Sequence, residues 1–135
     1  MPVSSRFPCL ALLLTATLLV CAACHGVPAA DQLPEGDVQK IKDALPEKAT
    51  AQPAKPRKVL LFYRCEGFRH TDGILWGDKA FELMGQKTGA YSTVESDDMA
   101  MFEPASLAQF DAIVFNNTTA LKFENPKYRE ALLDF

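Results

Sequence analysis

The stretch YRCEGFRHTDG, residues Tyr63 to Gly73, brings an imidazole, two guanidinium groups and two carboxylates into one short turn: Arg64, Glu66, Arg69, His70 and Asp72. Histidine is the side chain whose ordinary pKa lies nearest neutrality, so His70 is the candidate for moving a proton to or from a substrate hydroxyl. It stands just ahead of a helical pattern. The partial positive charge of a helix N-terminus disfavours the imidazolium, while Glu66 and Asp72 act the other way. A second polar run, Asn116, Asn117, Thr118 and Thr119, follows another apolar segment. Amides and hydroxyls both donate and accept hydrogen bonds, which suits a carbohydrate's hydroxyls or a carboxylate. This reading makes His70 the acid/base residue and gives substrate binding to Arg69, Asn116, Asn117 and Thr118. A structural reading competes for the same residues. A histidine at a helix start serves as a local cap, Arg69 pairs with Glu66 or Asp72 on the surface, and loop asparagines bond their own backbone.

For the chemical reading to hold, both runs must leave the same end of one sheet. KVLLFY, from Lys58, shows no clean alternation and reads as a parallel strand covered on both faces. Thr71 or Asp72 is placed to cap the next helix, in which Trp76, Ala80, Leu83 and Met84 recur at helical spacing and which Gly89 stops. YSTVESDD, from Tyr91, predicts a weaker strand at a sheet edge. Pro104 opens a helical turn through Leu107, and Asp111 to Asn117 read as another buried-type strand. Asn125 as cap and Pro126 at the first helical position begin a last helix with Tyr128, Leu132 and Phe135 on one face. Strands alternating with helices, joined by right-handed crossovers, predict an α/β fold with a doubly wound parallel sheet. In the common strand order 2-1-3 the ligand crevice lies beyond the carboxyl ends of the first and third strands, where the two polar runs emerge. The final helix lacks a stop signal and three strands are few, so the chain is expected to be the N-terminal part of a longer domain.

Ahead of Lys58 the composition is of two kinds. Leu10 to Ala23 form an apolar run after a start carrying Arg6, and Val27-Pro28-Ala29 suits a signal peptidase. Residues 1–29 are therefore expected to be an export signal, placing the protein in the periplasm or outside the cell. The run falls short of the roughly 20 residues of a stable membrane span. Lipid attachment at Cys24 is the second reading. Residues 30–57 are rich in Pro, Ala and Lys and read as a flexible linker, in which Val38, Ile41 and Leu45 mark one short amphipathic helix. All 17 acidic residues lie beyond the signal, which carries Arg6 away, so the mature chain is slightly more acidic than the formal net charge of −3. Mild acidity without a basic cluster argues against a nucleic-acid partner. Of the four cysteines only Cys65 follows the signal, so no internal disulfide is expected. Cys65 reads as a strand-end packing residue and Asp97-Asp98 as a solvated turn. His70 and Cys65 alone supply nitrogen or sulfur, too few for a metal site.

Three pieces, RKVLLFYRCEGFRH, KAFELMGQKTGAYSTVESDDMAMFEPASLAQFDAIVFNNTT and ENPKYREALLDF, resemble in their order the opening half of the ThuA-like, or trehalose-utilisation, domain. The resemblance covers 57–135 and rests most on Gly67-Phe68-Arg69-His70 and Phe115-Asn116-Asn117-Thr118-Thr119. It implies a flavodoxin-like sheet related to class I glutamine amidotransferases, without their nucleophilic cysteine. It also implies a small-molecule carbohydrate partner, trehalose or a related disaccharide such as a keto-sugar. Family members commonly carry a serine shortly after the histidine, where this chain reads His70-Thr71-Asp72-Gly73. A carbohydrate-binding module without turnover is the alternative, and a secreted glycosyl hydrolase a subsidiary one. A hydrolase needs two carboxyl groups flanking the bond, and no convincing pair stands in the sequence. Flavin binding follows from topology alone, and the first loop is not the Ser/Thr-rich cradle a flavin phosphate needs. No cofactor, reaction class or oligomeric state is assigned.

Overall fold

The computed structural model describes residues 32–135. The expected export signal, with Cys9, Cys21 and Cys24, lies outside the described residues. Strands β1 (Lys58–Phe62), β2 (Ser92–Ser96) and β3 (Ala112–Phe115) form one parallel sheet in the order β2-β1-β3. This is the predicted arrangement, with β1 central. Its residues Val59, Leu60, Leu61 and Phe62 are buried, which is why that strand reads as a continuous apolar run.

Alternation along the strands divides the side chains between two faces. Leu60 and Phe62 point to one, where they meet Phe102, Leu107 and Phe110, with Val94 and Ile113 alongside. That face is covered by a 3-10 turn (Met99–Phe102), the short helix α3 (Pro104–Leu107) and helix α4 (Pro126–Asp134). Helix α4 contributes Tyr128, Ala131 and Leu132. The rings of Phe62 and Phe102 meet edge to face at 4.9 Å, a favoured geometry for an aromatic pair. On the opposite face lies helix α2 (Thr71–Thr88), which carries the chain from β1 to β2. The chain is thus a mixed α/β protein with a parallel sheet and helices on both of its faces.

Local signals set most element ends. Asn125 accepts a hydrogen bond from the Lys127 amide at 3.0 Å and caps α4, with Pro126 at its first turn. Gly89 closes α2 in the left-handed region, φ 65°, where glycine has no Cβ to clash. At the other end of α2 the cap position falls on His70, one residue earlier than expected, and no side-chain capping bond is made there. Asp98 caps the 3-10 turn through the Ala100 amide, 2.9 Å, and Asp97 stays exposed just after β2.

Two expectations change. Helix α2 turns inward a different stripe from the one its apolar spacing marks: Ile74, Asp78 and Gly85 are buried, whereas Ala80, Leu83 and Met84 are half-buried and Trp76 is 37 % exposed. The helix is rotated because its small and polar residues, Gly77 and Asp78 among them, accommodate Asn116 at the end of β3. Strand β3, read as buried, ends at Phe115 and has half-exposed Ile113 and Val114, because it pairs only with β1. The predicted helix in the linker exists as α1 (Glu35–Ala44), with Ile41 buried. The Lys87 ammonium of α2 donates to the carbonyls of Lys42 and Leu45 and to Glu47, at 3.3, 3.1 and 2.7 Å, satisfying free carbonyls where α1 ends. Among the described residues no helix is long and apolar enough to cross a membrane.

Candidate functional site

The two polar runs emerge side by side at the carboxyl ends of β1 and β3, and their backbones are joined. Cys65 and Thr119 form an isolated parallel bridge. The amides of Glu66 and Gly67 both donate to the Thr119 carbonyl, at 3.0 and 3.2 Å. The Thr119 hydroxyl donates to the Phe68 carbonyl at 2.6 Å, and the Lys122 amide to the Glu66 carboxylate at 3.1 Å. Gly67 permits this closeness, since a Cβ there would stand 3.1 Å from that of Ala120. The half-buried Cys65 thiol donates to the Asn117 carbonyl at 3.3 Å. The loops therefore make one continuous surface rather than the walls of an open cleft.

Several polar side chains are used in holding that surface together. Arg64 donates to Glu66 at 2.8 Å and to the Asp97 carbonyl at 3.3 Å. The hydrogen bond from Arg64 keeps the Glu66 carboxyl below its ordinary range. Asn116 is buried, and its amide nitrogen donates to the Ile74 carbonyl and to the Asp78 carboxylate, both at 2.9 Å. Its oxygen accepts from the Asn117 amide at 2.8 Å. This single side chain ties the end of β3 to the first half of α2. The seat for it is glycine-lined: a Cβ at Gly77 would come within 2.6 Å of the Asn116 amide, and one at Gly73 within 3.2 Å of the Asn117 amide. Gly73 and Gly77 lie one helical turn apart on one face, so together they make a groove for the paired asparagines.

What stays open is the segment Phe68 to Gly73. Phe68, Arg69, His70, Thr71, Asp72 and Gly73 line a shallow hollow of about 320 Å³. His70 is exposed, with its ring edge to face against Phe68 at 4.8 Å. Arg69 is exposed too, and its guanidinium lies 5.5 Å from the centre of the Tyr63 ring, within reach of a cation–π attraction. Asn117 stands beside this hollow against Gly73, held in the left-handed region at φ 52°, which asparagine tolerates better than most residues. Thr118 is half-buried in the same loop. Of the expected site residues, Arg69, His70 and Asn117 thus lie at one exposed edge, and Asn116 lies beneath them.

Under α2 is a polar group that the sequence reading did not single out. Asp78 is only 7 % exposed. Burial raises its pKa, against the lowering effects of the Asn116 hydrogen bond and the Arg69 charge. Glu95 is exposed by accessible area, but partial desolvation raises its carboxyl as well, helped by the charges of Asp78 and Glu82. Burial also raises the Tyr63 phenol, with Asp97, Asp78 and Glu95 adding to the shift. Asp78 and Glu95 share a cavity of about 410 Å³ with Leu33, Val38, Leu75 and Lys79, separate from the hollow at His70. The signal for Asp78 was present in its spacing: it follows Ile74 by four residues and so sits on the buried stripe, where a lone carboxylate requires a partner.

No family model, curated protein or solved structure matches this chain. Geometry and sequence together therefore carry the functional reading.

Proposed function

We propose that this chain is a ThuA-like domain of the flavodoxin-like, amidotransferase-related kind, acting on trehalose or a related disaccharide at the exposed edge around His70. The observation that supports this reading is the hollow beside the joined strand exits, with Arg69, His70, Thr71 and Asp72 around it. Its rim combines exposed donors and acceptors over a short distance, the kind of lining that sugar hydroxyls satisfy and an apolar ligand would not. In this reading His70 exchanges a proton with a substrate hydroxyl, Arg69 and Asn117 orient the sugar, and Thr118 adds a hydrogen bond. Asn116 acts indirectly, by holding Asn117 through its side-chain oxygen.

Hydrolysis is disfavoured within this proposal. It calls for two carboxyl groups across the scissile bond. Asp72 is the one carboxylate lining the hollow, and Asp78 and Glu95 line a different cavity. A specific observation favours the binding-module alternative: at the cap position the His70 side chain makes no hydrogen bond to the helix. A working acid/base histidine is commonly oriented by a second group.

The deciding experiment assays turnover of trehalose and of a keto-disaccharide by the full-length protein, beside calorimetric binding of the same sugars; residues 1–135 by themselves are expected to be inactive. Turnover that falls at least about 100-fold in His70→Ala, with binding retained, is the expected result. Binding without turnover in the parent protein would leave the module; neither binding nor turnover would overturn the carbohydrate reading. Export belongs to the same proposal and predicts a mature N-terminus near residue 30, read by sequencing the protein recovered outside the cytoplasm.

A further inference from the structure

Phe68 is 74 % exposed, and it lines the same hollow as His70. A single exposed apolar side chain ordinarily needs no explanation. This one is held in place from both sides. The Gly67 amide before it donates to the Thr119 carbonyl at 3.2 Å, and its own carbonyl accepts from the Thr119 hydroxyl at 2.6 Å. Its ring is further steadied by the edge-to-face contact with His70 at 4.8 Å. The segment therefore presents a flat apolar face to solvent from a braced backbone, directly beside Arg69, His70 and Asp72.

We propose that Phe68 is the stacking platform for one pyranose ring of the substrate. A pyranose has one chemistry at its rim and another on its faces: hydroxyls project outward, while axial C–H bonds leave a face that packs on an aromatic ring. Phe68 supplies the counterpart of the face, and Arg69, His70 and Asp72 supply counterparts of the rim. The size agrees with this occupant, because about 320 Å³ is at the bottom of the roughly 300–1,000 Å³ range of small-ligand sites. One ring is accommodated against the phenyl face of this shallow hollow, and the remainder of a disaccharide extends into solvent. The phenyl ring then sets specificity for ring shape, while His70 retains the proton chemistry.

This inference rests on the carbohydrate reading above, and trehalose titration of three proteins separates the two. Phe68→Ala is expected to bind trehalose about tenfold more weakly than the parent, with an unchanged melting temperature because the ring is exposed. Phe68→Trp is expected to stay within about threefold of the parent. Its added indole should also show an emission change on trehalose addition, beyond any change in the parent, whose only tryptophan is Trp76. Equal affinity of parent and Phe68→Ala would overturn the platform and leave the carbohydrate reading standing. A parent that binds no trehalose would overturn both.

Discussion

Asp78 shows how one side chain links the stability of this protein to the position of its loop. Its carboxylate is nearly enclosed, yet it accepts a hydrogen bond from Asn116, which in turn accepts one from Asn117. Charge and hydrogen-bonding capacity can be separated by substitution. Asp78→Asn keeps an acceptor of the same shape and removes the buried charge, so it should unfold at the same temperature as the parent or higher at neutral pH. Asp78→Leu removes the acceptor, leaves one Asn116 N–H unsatisfied, and should cost about 1–3 kcal/mol. Thermal unfolding of both variants checks this. If Asp78→Asn loses as much as Asp78→Leu, the charge itself is required, and the Arg69 attraction outweighs burial.

At the scale of elements, glycines decide how closely α2 approaches its neighbours. A Cβ at Gly85 would lie 2.6 Å from the Tyr91 carbonyl and under 3 Å from its ring. The obstacle includes backbone, so it cannot turn aside. Alanine favours a helix interior over glycine by about 1 kcal/mol, but overpacking costs about 1–3 kcal/mol. Gly85→Ala should therefore be destabilising overall. In α1 nothing lies within 4 Å of the corresponding position at Gly36. Gly36→Ala should stabilise by about 0.5 kcal/mol, and denaturant midpoints of the two variants should move in opposite directions. A stabilising Gly85→Ala would mean that α2 and the start of β2 are less tightly packed than described.

Across the whole molecule, acid and base limbs of stability come from opposite ends of the sheet. At the amino end Asp111 accepts from Arg57 at 2.8 Å and from the Lys58 amide at 3.0 Å, and pairs with Lys55 at 2.9 Å, joining the linker to β3. These partners, Arg57 foremost, hold its carboxyl far below the ordinary aspartate range. A depressed carboxylate contributes stability above its unfolded pKa and loses it as pH falls through the folded one. At the carboxyl end Asp78, which is buried, and to lesser effect Glu95, which is exposed but partly desolvated, are raised. The sign is then reversed: stability is greatest when they are protonated and declines as pH rises beyond the usual carboxylate range. The expected profile is a maximum on the acid side of neutrality. Urea midpoints measured across about pH 3 to 8 should show Asp111→Asn flattening the acid limb and Asp78→Asn flattening the other. Unchanged limbs in both variants would refute this assignment.

Short-range patterns made much of this legible from residues alone. The apolar run at β1, the Gly89 stop, the Asn125 cap and Pro126 act within a few residues of themselves, so their effects appear in the sequence directly. Strand order and the meeting of the two polar exits rest on the common 2-1-3 order of doubly wound sheets, a property of the fold class rather than of this chain. The long-range pairings were not legible. Nothing near Asn116 indicates that its amide is used on Ile74 and Asp78, residues 42 and 38 positions away. Nor does the Trp76 pattern reveal that α2 turns its glycine groove, rather than its largest side chains, toward the sheet exits. Hydrogen-bond satisfaction and close packing are decided between segments brought together in space, and only the tertiary structure specifies which groups are consumed there and which, at Phe68, Arg69 and His70, are left facing solvent.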